Sequence, residues 1–291
     1  MSGRAFARAA LAGNPSDGYG GATLAVPIRE LAAEVELVAG AADEPSVDPD
    51  ALRLAHAARR RLARELDLPA AGVAAVRTTI PREVGLGGSS AIVTATLRAL
   101  LDLAGASLAP TDLARVALEA ETHELGIAAG PQDRLVQAHE TLVAMDFAAA
   151  APGCEPLDPA LLPPLFLAWR TDAGQHSGGV HGDLRARWEA GDVAVRGSLT
   201  RLADHARAAR DALLAGDRAA FAAAVDGSFD VRRDLIADLD PRHVRMVEVA
   251  RAAGACANYA GSGGAIVGVA GDLAAVRAAL EREACAVLLP G

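Results

Sequence analysis

Pro81-Arg82-Glu83-Val84-Gly85-Leu86-Gly87-Gly88-Ser89-Ser90-Ala91 is the stretch whose reading decides the fold. Glycines and serines crowd between a strand-like run, residues 73–80, and a helix-like run, residues 91–103. Glycine lets a backbone turn tightly and approach a ligand closely. A helix that begins at the serines points unpaired N–H groups and a positive dipole end into the loop. The pattern predicts a seat for phosphate.

The rest of the chain bounds which phosphate chemistry is open. At 291 residues it is long enough for one large domain or two ordinary ones. Hydrophobic residues make up 52%, which marks a globular chain. Aromatics at 3% argue against base-stacking modules, and a net charge of −9 argues against general affinity for nucleic acid or anionic membranes. All 28 basic residues are arginine. The absence of lysine excludes Schiff-base chemistry and the Gly-Lys-Ser/Thr phosphate loop. Cys154, Cys256 and Cys285 are widely spaced, with no CxxC pair, and are expected as small buried hydrophobes in a reducing compartment. No leader-like start and no long apolar run is visible, so the expectation is a cytoplasmic protein without a membrane partner.

Around the loop, residues 1–40 predict strands about a glycine turn, with Pro27 as a bend. Residues 50–66 predict a helix begun by Asp50, and residues 111–124 another, capped at Pro110-Thr111 or Thr111-Asp112. A short helix carries Asp133 and Arg134. Residues 142–147 and 165–169 predict strands, and the proline-rich residues 151–164 an interdomain linker. Residues 180–253 are helical in pattern, broken near Gly191, Gly216 and Pro241, and residues 273–283 form a last helix. The order of elements predicts an α+β protein of two lobes, cut as 1–155 and 156–291.

Two further glycine turns frame the first: Asn14-Pro-Ser-Asp17-Gly-Tyr19-Gly-Gly21 and Gly261-Ser262-Gly263-Gly264. Each alone is weak, since a glycine-rich turn is most often only a tight turn. Together with Arg8-Ala-Ala-Leu-Ala-Gly before the first and Asn258-Tyr-Ala before the last, they resemble, in order and spacing, the three motifs of the GHMP kinase superfamily. That superfamily includes galactokinase, homoserine kinase, mevalonate kinase and phosphomevalonate kinase. The runs 11–17, 85–92, 124–134, 145–147 and 177–188 resemble most the glucuronokinase family within it. The resemblance implies a two-lobed GHMP kinase fold, an N-terminal ATP-binding lobe followed by a ferredoxin-like one.

The resemblance also implies roles. ATP and Mg²⁺ are the expected cofactors, and a small sugar acid, D-glucuronate, the expected acceptor. Pro81, Gly85, Leu86, Gly87, Gly88, Ser89, Ser90 and Ala91 would hold the triphosphate, with Gly261, Ser262 and Gly263 against it. Ser89 and Glu121 match the metal ligands, with Glu119 and Glu124 near enough to take the second place. Ser90 would cap the helix. Asp133 matches the base or orienting carboxylate, and Arg8 the cation that lowers its pKa and steadies the transferred phosphoryl group. Asn14, Asp17, Tyr19 and Gln132 are candidates for the sugar hydroxyls. Arg134, Arg170, Arg185 and Arg187 are all candidates for the uronate carboxylate, since arginine binds carboxylate bidentately. His176 and His181 lack a third metal ligand, so contact with loop or substrate is expected.

Other classes stay in view. One is a GHMP kinase for a neutral sugar or a mevalonate-like acid. Another is a sensor that kept the fold and lost catalysis, against which Arg8, Ser89, Glu121 and Asp133 together argue. A dinucleotide-binding oxidoreductase needs a glycine turn and a later acidic residue at a spacing that residues 14–21 do not have.

Overall fold

The computed structural model describes residues 1–149, 153–171 and 178–291, with backbone alone for 178–183. Strands β1 (Ser2–Ala12), β2 (Ala22–Ala39), β3 (Ala71–Thr78), β4 (Leu142–Asp146) and β5 (Gly153–Leu157) form one sheet, in the order β1-β2-β4-β5 with β3 also on β2. Strands β6 (Leu165–Arg170), β7 (Ala255–Tyr259), β8 (Ala265–Ala270) and β9 (Cys285–Leu288) form a second, in the order β7-β8-β6-β9. The pairs β2–β3, β2–β4, β4–β5, β6–β8, β6–β9 and β7–β8 are antiparallel. The helices are α1 (Pro49–Leu62), α2 (Gly88–Ala104), α3 (Pro110–Leu125), α4 (Gln132–His139), α5 (Gly178–Glu189), α6 (Val193–Ala215), α7 (Arg218–Leu235), α8 (Pro241–Ala252) and α9 (Leu273–Glu281). The class is α+β. Among the described residues, no helix is long and apolar enough to cross a membrane.

The chain packs into two compact units. The first holds Met1–Arg8, Pro27–Pro81 and Gly87–Glu140, the second Ala9–Val26, Arg82–Leu86 and Thr141–Gly291. The units interleave along the sequence. In the first, Leu54, Leu62, Leu97, Leu100, Leu113 and Val116 are buried on α1, α2 and α3. Each leucine so buried contributes about 1.5–3 kcal/mol. In the second, Phe166, Phe229, Met246, Tyr259 and Ile266 form a core between the second sheet and its helices.

Several local expectations change. Pro27 does not end the strand: β2 runs through it without a break. The strand pairs β4 from Ala22 to Ala25 and β3 from Ala33 onward. Pro27 falls between these two ladders, where its missing N–H removes no bond to β3 or β4. The stretch expected as a linker contains β5, which adds to β4 from Gly153 to Leu157. Helix α1 is capped by Asp48, not Asp50: its Oδ1 accepts from the amides of Asp50 and Ala51 at 3.0 and 3.1 Å, with Pro49 in the first turn. Helix α3 has Ala109 at its cap position and Pro110 just inside, with no side-chain cap bond.

Candidate active site

Within the first unit, α2 starts directly from the glycine loop. Gly87 is its cap residue, with φ at 73° and no side-chain cap bond. A Cβ at Gly87 would stand 3.1 Å from Gln137 Nε2, 3.2 Å from Ser90 Oγ and 3.3 Å from Asp133 Oδ2. Conformation and crowding both call for glycine. Ser90 does not cap the helix as expected. It lies inside the first turn and donates to the Gly87 carbonyl at 2.9 Å, which Gln137 Nε2 also reaches at 2.9 Å. Those two bonds hold the loop by its carbonyl, and the first-turn amides carry no side-chain cap, the arrangement an anion takes.

Helix α4 supplies the charged groups. Arg8 Nε donates to Asp133 Oδ1 at 2.6 Å, and the two side chains are 7% and 19% exposed. Arg134 Nη1 lies 3.8 Å from Asp133 Oδ2. Burial pushes the Asp133 carboxyl up, but the Arg8 and Arg134 guanidinium groups and hydrogen bonds from Arg8 and Gln132 outweigh it. The net result holds Asp133 below its ordinary 3.8. It is an ionised group at neutral pH. Gln132 beside it is buried, and its Oε1 has no hydrogen-bond partner among the described residues.

Glu121 on α3 is wholly buried. Arg134 Nε donates to its Oε2 at 2.7 Å, Nη2 bonds the same oxygen, and Nη1 reaches the Gly130 carbonyl at 2.8 Å. Ser89 Oγ donates to Glu121 Oε1 at 3.1 Å. The neighbouring acids turn elsewhere: Glu119 to Arg61 and Arg115, Glu124 to Arg60 and Arg64. Of the three glutamates, Glu121 is the one beside Ser89. Arg134, expected among the cations for a substrate, is instead engaged by Glu121 and Gly130.

In the second unit, the 3-10 turn Ser16–Tyr19 holds Asp17 and Tyr19. Tyr19 meets Trp188 edge-on at 5.5 Å, and Arg185 stacks 4.5 Å above the Tyr19 ring while Nη2 donates to Gly18 O at 2.9 Å. Burial raises the Tyr19 hydroxyl above its usual value, against the pull of Arg185. Arg170 Nη1 donates to the Glu283 carbonyl at 3.3 Å, and Arg187 pairs with Asp192. The side chains of His176 and His181 lie outside the described residues. Residues 260–264 are the turn of the β7–β8 hairpin, with Tyr259 opposite Ile266. The plain hairpin is therefore there, and it carries more: Asn14 Nδ2 donates to the Gly261 carbonyl at 3.1 Å. Gly85 packs so tightly on this turn that a Cβ would stand 2.8 Å from Ser262 N and from Gly263 O.

Two residues of these clusters were not anticipated. Gln137 stands one helical turn from Asp133, a spacing that could have drawn notice. Arg232, described below, has no signal in the sequence. The cysteines are free; burial raises Cys154 and Cys256 to about 11.

Residues 53–140 match the family model described as the GHMP kinases N terminal domain. Glucuronokinase 1 of Arabidopsis thaliana is 40% identical over 204 residues, 65% of this chain and 55% of that protein. The chain spans about half the length of the curated relatives it matches. Among solved structures, phosphomevalonate kinase of Streptococcus pneumoniae in complex with phosphomevalonate and AMPPNP superposes with a TM-score of 0.82 at 16% identity, over 99% of this chain and 98% of that one. Galactokinase of Lactococcus lactis complexed with galactose gives 0.82 at 14%, over 99% and 93%. Residues 53–140 thus carry a GHMP kinases N terminal domain, and nearly the whole chain shares its fold with these two solved kinases.

Proposed function

We propose that this chain is an ATP- and Mg²⁺-dependent sugar 1-kinase of the cytoplasm that phosphorylates D-glucuronate at the anomeric hydroxyl. The observation that carries the reading is the continuous set Arg8–Asp133–Arg134–Glu121–Ser89, which runs from an ionised carboxylate to the start of α2. Phosphoryl transfer asks mainly for positioning and charge neutralisation, and this set supplies both.

The uncapped start of α2 fits a nucleotide phosphate. Mg²⁺ fits as well: Ser89 Oγ and Glu121 Oε1 are neighbours, and Arg134 takes the other carboxylate oxygen. Among the described residues no cluster of three His, Cys, Asp or Glu could hold a metal unaided. Ser89 Oγ and Glu121 Oε1 would hold the ion together with the nucleotide phosphates and water. When bound it neutralises charge on the phosphates. Asp133 accepts the acceptor's hydroxyl hydrogen bond and aims its oxygen, then holds the proton as transfer completes. Because Arg8 keeps it ionised, it acts more by orientation than by basicity. Gln132 Oε1, a buried acceptor beside it, suits a second sugar hydroxyl. Arg185, exposed on the Tyr19 face, is the cation assigned to the uronate carboxylate. Asp17 and Tyr19 belong with it, whereas the Asn14 amide is taken by Arg232 and the Gly261 carbonyl.

The test is ATP consumption with Mg²⁺ across an acceptor panel. Glucuronate turned over best is the expected result. A neutral sugar or a mevalonate-like acid turned over much faster would replace the substrate. No transfer to any acceptor, with nucleotide still bound, would favour a sensor.

A further inference from the structure

Arg232 lies on α7, 218 residues from Asn14, and is 1% exposed. Its Nη1 donates to Asn14 Oδ1 at 3.0 Å and its Nη2 to the Ser262 carbonyl at 3.3 Å. The guanidinium carbon sits 5.0 Å from the centre of the Tyr259 ring. Asn14 passes the constraint on, since its Nδ2 holds the Gly261 carbonyl. Two successive carbonyls of the hairpin turn are thus fixed by one guanidinium and the amide it orients.

A trans peptide is planar, with its C=O and the following N–H on opposite edges. Holding the carbonyls of Gly261 and Ser262 aims the N–H groups of Ser262 and Gly263 the other way. Gly85 lies against these peptides: a Cβ there would stand 2.8 Å from Ser262 N and from Gly263 O, and 3.1 Å from Gly263 N. The two amides edge the glycine loop.

We propose that Arg232 is a positioning residue for nucleotide phosphate binding, which acts by fixing the two peptide planes that edge the glycine loop. For its ligand the inference rests on the kinase reading; for the peptide geometry it does not. The role is directional. Lysine keeps the charge but lacks the planar fork that reaches two acceptors.

The experiment compares the full chain with Arg232→Lys and Arg232→Met. Near-UV circular dichroism confirms that each variant is folded. Losing two charged hydrogen bonds should raise the Kd for AMPPNP and the KM for ATP roughly tenfold in both variants. The acceptor KM should stay within about twofold, a split that a general loss of stability does not produce. Amide hydrogen exchange at Ser262 and Gly263 should quicken. A folded Arg232→Lys with wild-type nucleotide affinity and wild-type exchange overturns the proposal. If Arg232→Met does not fold, Arg232→Lys decides alone. If the wild-type chain binds no nucleotide, the kinase reading fails. Exchange at Ser262 and Gly263 in Arg232→Lys then decides the positioning role, faster exchange supporting it and unchanged exchange ending it.

Discussion

The two units handle buried arginine in different ways. In the first, Arg8 and Arg134 close on the carboxylates of Asp133 and Glu121. In the second, Arg232 reaches the amide oxygen of Asn14 and the carbonyl of Ser262. The first arrangement fixes charge: it sets the ionisation of one acid and the orientation of another. The second fixes shape: it sets which way peptides face. The difference says that damage to the two regions should show in different measurements.

The sharpest way to break the contrast is Asp133→Asn. Loss of the orienting carboxylate should lower kcat by about a thousandfold, about 4 kcal/mol in the barrier. Nucleotide binding by calorimetry should survive. Full activity in that variant would remove Asp133 from the chemistry. Next is Arg134→Met, which leaves the Glu121 carboxylate buried without its main cation. That should cost about 3 kcal/mol of stability, visible in chemical unfolding. Adding Glu121→Gln should recover most of that stability, though not activity. If the single variant is as stable as wild type, the pair is not what holds that region.

The shape side is tested by Gly85→Ala. Its Cβ meets backbone atoms of the hairpin turn, at a φ of 74°. Strain and overpacking together should cost about 2 kcal/mol. The loss should fall on nucleotide affinity more than on the pH profile. An unchanged Kd for AMPPNP would show that the turn yields freely. The smallest effect expected is a shift in pH dependence. Asp133 has a depressed folded value, so its ionised form is lost only as pH falls below the ordinary carboxylate range. Arg8→Gln removes its nearest cation and leaves the burial that raises it. The acid limb of kcat/KM should therefore move to higher pH. A limb that stays in place would mean that Arg134 sets the value alone.

Much of the first unit was legible because its chemistry is local. Gly87 to Ser90 combine a glycine entry with a helix start, and Asp133 and Arg134 sit together on one short helix. The breaks at Gly191, Gly216 and Pro241 were legible for the same reason: each residue punctuates its own neighbourhood. Arg232 was not, because in a chain with 28 identical basic residues only a distant partner separates a buried arginine from a surface one. The proline-rich run that holds β5 misled by composition: the strand forms because β4 offers it an edge, and an edge leaves no mark in the strand's own residues. Arg134 misled by position, since nothing in its neighbours says that Glu121 lies beneath it.

Helix α4 has a consequence for how this protein can vary. Its eight residues carry Gln132, Asp133, Arg134 and Gln137, which supply an open acceptor, the acid paired with Arg8, the holder of Glu121 and the holder of the loop carbonyl. One residue inserted among them would swing every later side chain by about 100°. Gln137 would then leave Gly87 while Asp133 kept Arg8. Single substitutions along α4 can be graded, but its length cannot: between 132 and 137 the chain should accept changed letters and no added or deleted ones.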